Sequence, residues 1–343
     1  MRLSSKYETI RRLLSDLKQP EYRYAQIMDA IFKQNVGEYE RMTLLPKFLR
    51  EELTRMLGPN VCSIVPVKEL TSKQVSKVLF AIEGDERVEA VRLTYERGWK
   101  SYCISTQCGC GFRCRFCATG TIGLKRNLTV DEITDQLLHF RLNGHALDSV
   151  AFMGMGEALA NPNIFDSITI LTDPFLFGLG QRRITVSTIG LMPGIEKLTR
   201  EFPQVNLTFS LHSPFDDQRS ELMPINDRFP IHDVLKALDH HIRQTKRKVY
   251  IAYILLRGVN DSAAHAEAVA DLLRGRGPVE HLYHVNLIPF NSTEVTPDSY
   301  QQSDSNRIKA FVRILKSKGI SHTVRTQFGS DINAACGQLY RSE

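Results

Sequence analysis

The sequence predicts an α/β protein: a partial (β/α)6 barrel preceded by a small N-terminal accessory domain and followed by a short C-terminal extension. Two observations carry this expectation. From about Lys100 onward, short apolar runs alternate with amphipathic segments, the signature of strand–helix units laid around a parallel sheet with right-handed crossovers. Before Lys100 the texture differs, with helical spacing first and alternating stretches later.

In chain order, Tyr24, Ile27, Met28, Ile31 and Phe32 repeat at helical intervals, and Phe48, Leu49, Leu53 and Met56 repeat again after Pro46. Val78, Phe80 and Ile82, then Val91, Leu93 and Tyr95, alternate as strands do. The core then offers strands at 102–106, 149–155, 183–188, 206–212, 249–256 and 283–289. Thr129 and Glu132 form a capping box ahead of Ile133, Leu137 and Leu138. Ile308, Phe311, Val312 and Leu315 form a late helical stripe closed by Gly319. In such a barrel, chemistry gathers at the C-terminal ends of the strands. The expected divisions are 1–97, 98–320 and 321–343.

With 343 residues and 42% hydrophobic composition the chain can bury a sizeable core. No apolar run approaches the roughly 20 residues needed to cross a bilayer, and the charged start lacks a signal-peptide core, so a cytoplasmic protein is expected. The formal charge of +6 fits a polyanionic partner. Arg182-Arg183 and Lys246-Arg247-Lys248 are candidate phosphate contacts, although charge runs are more often solvated surface.

Seven cysteines are present, and Cys103, Cys108, Cys110, Cys114 and Cys117 crowd one short span. In a reducing compartment such crowding points to metal or redox chemistry. Cys110-Gly-Phe-Arg-Cys114-Arg-Phe-Cys117 follows the first expected core strand. Three thiolates on one loop suit a [4Fe–4S] cubane with one iron left open. A zinc site with Cys108 as fourth ligand is the alternative, but no second ligand pair lies nearby. Cys62 reads as structural.

The C-x3-C-x-aromatic-C loop resembles the signature of the radical SAM superfamily, whose open iron binds S-adenosylmethionine (SAM) and whose cluster cleaves it to a 5′-deoxyadenosyl radical. Met153-Gly-Met-Gly-Glu157-Ala-Leu-Ala-Asn161, Val186-Ser-Thr-Ile-Gly190, Phe209-Ser-Leu-His212, the run from His284 to Asn291 and Ala335-Cys-Gly-Gln-Leu339 are similar to the RlmN/Cfr family of that superfamily. Ala158, Cys117-Ala-Thr-Gly120 and Ser213-Pro-Phe resemble the Cfr branch. The likeness spans nearly the whole chain.

The resemblance implies methylation of C8 of adenosine 2503 in 23S ribosomal RNA, with resistance to antibiotics of the peptidyl transferase centre; methylation of C2 of the same base is the alternative. It implies a [4Fe–4S] cluster on Cys110, Cys114 and Cys117, and two SAM molecules per turnover. Cys336 would carry the methyl group. Cys103 would release the product by forming a disulfide with Cys336. Glu89 would accept the proton; its parity with Val91 and Leu93 puts a carboxylate on an apolar strand face, where burial disfavours its charge. Gly156, Glu157, Ser187, Ser210, Leu211, His212 and Asn291 would contact SAM. The accessory domain would bind RNA, and the C-terminal segment would carry the methyl-accepting cysteine. The expected partners are 23S ribosomal RNA before ribosome assembly is complete and a reductase or flavodoxin-type electron donor, with no membrane, for a monomeric enzyme. Two other classes fit the cysteine loop alone: an activase that abstracts hydrogen from a partner protein, and an RNA-binding protein with a structural metal.

Overall fold

The computed structural model describes residues 5–293, 295–326, 328, 329 and 332, so Cys336 lies outside the described residues. Three helices come first: α1 (Lys6–Asp16), α2 (Tyr22–Phe32) and α3 (Lys47–Leu57). An antiparallel meander follows: β1 (Val65–Thr71), β2 (Val75–Ile82) and β3 (Glu86–Thr94). Next come β4 (Lys100–Cys103), β5 (Gln107–Cys110), the short α4 (Ala118–Ile122) and β6 (Gly123–Asn127). The repeating units run through α5 (Val130–Leu142), β7 (Ser149–Phe152), α6 (Asn163–Thr172), β8 (Ile184–Thr188), α7 (Met192–Glu201) and β9 (Asn206–Ser210). They continue with α8 (Asp216–Leu222), α9 (Ile231–Thr245), β10 (Val249–Leu255), α10 (Ala263–Leu273), β11 (Tyr283–Pro289), α11 (Ser305–Ser317) and β12 (His322–Val324).

One ten-stranded sheet joins all strands except β5 and β6, in the order β1-β2-β3-β4-β7-β8-β9-β10-β11-β12. The six expected strands, β4 and β7 to β11, are parallel to one another, and the short β12 adds a further parallel strand beyond β11. On the other edge β3 pairs antiparallel with β4, so the meander, although it precedes residue 97, extends the barrel sheet. The ladder ends earlier than expected after β4 and β7. Apolar residues beyond those strands pack loop against loop instead, with Gly154 N–H donating to the Ile104 carbonyl at 3.0 Å and Thr106 N–H to Met155 at 2.9 Å.

Two cores result. One lines both faces of the sheet; the other gathers α1 to α3 against Val130 and Leu138 of α5 and Ile170 of α6. Lys6 fastens them together. Its ammonium donates to the buried Asp135 carboxylate and, at 2.7 Å, to the Val61 carbonyl, while its backbone N–H donates to Asp131 at 2.9 Å. Ser63 completes the junction, its N–H and hydroxyl donating to Asp135 at 2.6 and 2.8 Å.

The capping box on α5 forms as its sequence requires: Glu132 N–H donates to the Thr129 hydroxyl and Thr129 N–H to the Glu132 carboxylate at 2.9 Å. Gly319, with φ of 74°, follows α11.

Candidate functional site

The hairpin of β5 and β6 brings the two ends of the cysteine loop together, Cys110 opposite Gly123. Within the loop Arg113 takes a left-handed φ of 52°. Cys117 N–H donates to the Cys114 carbonyl at 3.1 Å, and Arg115 N–H ties the loop to the Leu222 carbonyl at 3.0 Å. A side chain at Gly120 would meet the Cys114 backbone at 3.1 Å, so glycine there lets α4 fold back on the loop.

Cys110, Cys114 and Cys117 all line one cavity of about 180 Å³ at the C-terminal ends of the parallel strands. Gly156, Glu157, Ser187, Ser210 and His212 line it too. Thus five of the seven expected SAM contacts share a cavity with all three expected cluster ligands. Leu211 is fully buried and not in the cavity wall, its backbone N–H bonded to the Ala252 carbonyl. Asn291, buried just past β11, is not in that wall either.

Burial first, and then the neighbouring thiols, holds the Cys114 proton well above the usual thiol range; Cys110 is pushed up to about 12, mainly by burial. Thiols this reluctant to ionise become ligands when a strongly Lewis-acidic metal displaces their protons. Among the described residues no three His, Cys, Asp or Glu side chains converge on a single ion. A cubane does not ask for that convergence, because each of its irons takes one thiolate. Cys108 is turned from the loop, its thiol donating to Glu86 at 3.2 Å, which removes the fourth ligand the zinc alternative requires. The donor set therefore fits a [4Fe–4S] cluster.

Glu157 sits on the turn after β7. Its carboxylate accepts from the N–H of Ile189 at 3.0 Å and of Leu159 at 3.4 Å, and burial nonetheless pushes it up to about 7. Gly156, at φ of 95°, makes the turn, and a side chain there would strike Gln107. His212 also holds a left-handed φ of 58°. Its Nδ1 accepts from Ile254 N–H at 3.0 Å, its ring stands edge-on to Phe116, and burial and then Arg219 push it down to about 3. It is therefore neutral across physiological pH, with the proton on Nε2.

Glu89 and Cys103 do not line this cavity. Both belong to its sheet face by register. Cys103 pairs with Ala151 and Val91, Ala151 pairs with Thr185, and Thr185 shares parity with the cavity residue Ser187. Glu89 lies two residues from Val91, and Lys77 directly opposite Val91. Glu89 is fully buried, as its parity implied, but it is not a lone carboxylate on an apolar face: Lys77 Nζ lies 2.9 Å from it. An opposite charge this close favours the ionised carboxylate. Tyr102, between these positions, points the other way, its hydroxyl on the Ala146 carbonyl.

Three residues matter that the sequence did not single out. Arg219 is fully buried and donates to the carbonyls of Leu211 at 3.0 Å, Ile189 at 2.8 Å and Ser210 at 3.0 Å, and to Asn226 at 2.7 Å. It clamps the ends of β8 and β9 that carry the cavity wall. Ser105 donates through its hydroxyl to the Glu89 carbonyl at 2.6 Å and accepts from Met155 N–H at 2.9 Å, joining the β3 edge to the glycine turn. Gln136 of α5 holds the Ser105 backbone from both sides, at 2.8 and 2.9 Å.

The profile of the Radical SAM superfamily matches residues 104–273. Ribosomal RNA large subunit methyltransferase Cfr of Lachnoclostridium phytofermentans is 60% identical over 335 residues, 98% of this chain and 97% of the relative. The Cfr protein of Staphylococcus warneri is 56% identical over 336 residues, covering 98% and 96%. A crystal structure of a radical SAM methyltransferase from Sphaerobacter thermophilus, 40% identical, superposes with a TM-score of 0.91 over 99% of each chain. A cavity holding three cysteines of the right spacing, in a fold shared from end to end with these enzymes, leads to one conclusion: the chain belongs to the Cfr family of large-subunit ribosomal RNA methyltransferases, within the radical SAM superfamily.

Proposed function

We propose that this protein methylates C8 of adenosine 2503 in 23S ribosomal RNA through a methylated cysteine, and so confers resistance to antibiotics that act at the peptidyl transferase centre. The near full-length 60% identity to Cfr enzymes carries this reading. Adenine C8 has no lone pair with which to attack an electrophilic methyl group, so ordinary SAM methyl transfer does not reach it. Bound at Cys110, Cys114 and Cys117, a [4Fe–4S] cluster supplies the electron that turns SAM into a radical source.

The chain's own residues divide the remaining work. Ser187, Ser210, His212 and Glu157 hold SAM's polar groups along the strand ends. Cys336, which lies outside the described residues, accepts a methyl group from one SAM and presents it for hydrogen abstraction with a second. Its one-carbon unit then bonds to the base. Glu89 takes the proton from the substituted carbon, and Lys77 stabilises it as the carboxylate that this task needs. Once the adduct has given up one electron with that proton, the Cys103 thiolate attacks the Cys336 sulfur; the C–S electron pair stays with the one-carbon unit, which takes up a proton as the methylated base leaves, and the two sulfurs remain as a disulfide. The shared sheet face of Glu89 and Cys103 supports these roles.

The target adenine must leave its stack to reach the cavity, which favours RNA not yet folded into the subunit. A flavodoxin or reductase supplies electrons. The enzyme acts as a monomer in the cytoplasm; none of its described helices is long and apolar enough to cross a membrane. The test is an anaerobic reaction of reconstituted enzyme with methyl-labelled SAM and protein-free ribosomal RNA, followed by nucleoside mass spectrometry. Labelled 8-methyladenosine, absent with Cys336→Ala, is expected. Only 2-methyladenosine would move the chemistry to C2, and no labelled nucleoside would overturn the proposal.

A further inference from the structure

A groove of about 710 Å³ opens between the β3–β4 turn and the chain beyond β12, lined by Gln74, Tyr95, Arg97, Trp99, Ser149 and Phe328 among others. Two of these are large aromatic side chains left in solvent: Trp99 is 42% exposed and Tyr95 38%. Neither is loosely held. The Trp99 indole N–H donates to the Ser149 hydroxyl at 3.0 Å, fixing the ring plane. The Arg183 guanidinium lies over that ring, 5.3 Å from its centre. Tyr95 stands edge-on to Phe328 at 5.8 Å. Arg97 and Arg183 are exposed beside the two rings, with Glu96 in the groove wall and Asp148 bound to the Lys100 backbone N–H next to Trp99.

Exposed aromatic rings held in place and ringed by arginine are costly to leave uncovered and serve no core. They match what an unpaired nucleic-acid strand recognises: flat faces for bases and guanidinium groups for phosphates. Trp99, Ser149 and Arg183 stand at the N-terminal starts of β4, β7 and β8, at the other end of those strands from the cysteine-lined cavity. Ser149 pairs with Ser101, two residues before Cys103 on the same face, so the groove adjoins the strand that carries the expected resolving cysteine. Thr326 and Phe328, which follow β12, also line it.

We infer that this groove is a stacking site for unpaired nucleotides of the RNA substrate, with Trp99 as the base platform and Arg183 as the phosphate contact. The inference rests on RNA being the substrate, and it names a surface that holds unpaired nucleotides of that RNA away from the cavity that takes the target adenosine.

Trp99 is the only tryptophan in the chain, so its emission reports the site directly. Holoenzyme is titrated with unlabelled oligoadenylate, with a fully paired RNA duplex and with a protein-free fragment of large-subunit ribosomal RNA. Fluorescence anisotropy of end-labelled copies gives binding independently. Oligoadenylate and the ribosomal fragment should quench Trp99 saturably, and the duplex should not. Trp99→Ala should weaken oligoadenylate binding roughly tenfold, the loss of one stacked base. Trp99→Phe should lose less, and Arg183→Gln should flatten the salt dependence.

Binding seen by anisotropy without quenching, or unchanged affinity in Trp99→Ala, would overturn the inference. The wild-type quench decides the matter even if Trp99→Ala fails to fold. Methylation without quenching defeats this inference alone. Quenching without any methylated nucleoside defeats the methyltransferase reading and leaves the RNA site standing.

Discussion

The ammonium of Lys77 lies 2.9 Å from the carboxylate of Glu89, with both side chains shut away from solvent on the sheet face that continues into the cysteine-lined cavity. Removing one member of a buried ion pair costs about 3–5 kcal/mol. Lys77→Met should therefore lower stability by about that much, and Lys77→Met combined with Glu89→Gln should regain much of it. Denaturant unfolding of the three proteins checks the order. The catalytic readout separates from stability: methylation per bound cluster should fall in Lys77→Met. The double variant should not methylate at any pH. A Lys77→Met enzyme with wild-type rate per bound cluster would deny Lys77 this part.

Arg219 answers three backbone carbonyls at the ends of β8 and β9, of which that of Leu211 keeps a second donor in the Ser213 N–H at 2.7 Å. Each buried acceptor left without a donor costs about 1–3 kcal/mol. Arg219→Met should be strongly destabilised and should bind less iron on anaerobic reconstitution. Arg219→Lys, with a point charge in place of a fork, should recover only part of both. Iron stoichiometry and thermal melts measure this, and a fully stable Arg219→Met with normal iron content would contradict it.

A methyl group at Gly154 would sit 2.6 Å from the Ile104 backbone, where nothing flexible can yield. Gly154→Ala should push the β7 turn away from β4 at a cost of about 1–3 kcal/mol, and SAM affinity should fall with it. Isothermal titration of reconstituted enzyme with SAM gives the number. At Gly156 the obstacle is the Gln107 Cβ at 2.4 Å, which the backbone holds in place, and the φ of 95° adds strain. Unchanged SAM affinity in Gly154→Ala would show that the two loops separate freely.

The junction between the helical region and the barrel carries its own pH signature. Burial raises the Asp131 carboxyl from 3.8 to about 6, despite the pull of Lys6. Between those pH values the native state holds a proton that the unfolded chain has released, so this group's contribution falls as pH rises through the window. Asp131→Asn lacks that term. Wild-type stability measured against Asp131→Asn should thus decline from pH 4 to pH 6 and level off above it. Urea unfolding at pH 4.5 and 7 tests the sign, and a rise instead of a decline would refute it.

The barrel strands and the cysteine loop could be read from the chain because their causes are local. Alternating parity, the Thr129 capping box and C-x3-C-x2-C spacing each operate over a few residues. The strand at His322–Val324 escaped notice because its three residues carry no pattern, and it exists only through its pairing with β11. Arg219 escaped for a related reason. In Asp-Asp-Gln-Arg-Ser-Glu it looks like solvated surface, and only the tertiary arrangement of carbonyls around it calls for burial. Lys77 stands in an apolar strand as an apparent break in pattern, and its meaning comes from Glu89 across the register. Lys6 likewise resembles an ordinary charged helix start until Asp135 is brought to it.

Arg325 follows β12 and lines the cysteine-lined cavity, bonded through its N–H to the Leu287 carbonyl. The wall therefore needs a residue made long after the cysteine loop has left the ribosome. Chains grow at about 5–20 residues per second and fold from the N-terminus as they emerge. The ligands can thus gather while the chamber that would hold SAM is still open on one side. A truncated or stalled product keeps its thiols but lacks a finished chamber, so an unfinished copy has no closed place in which to make a radical.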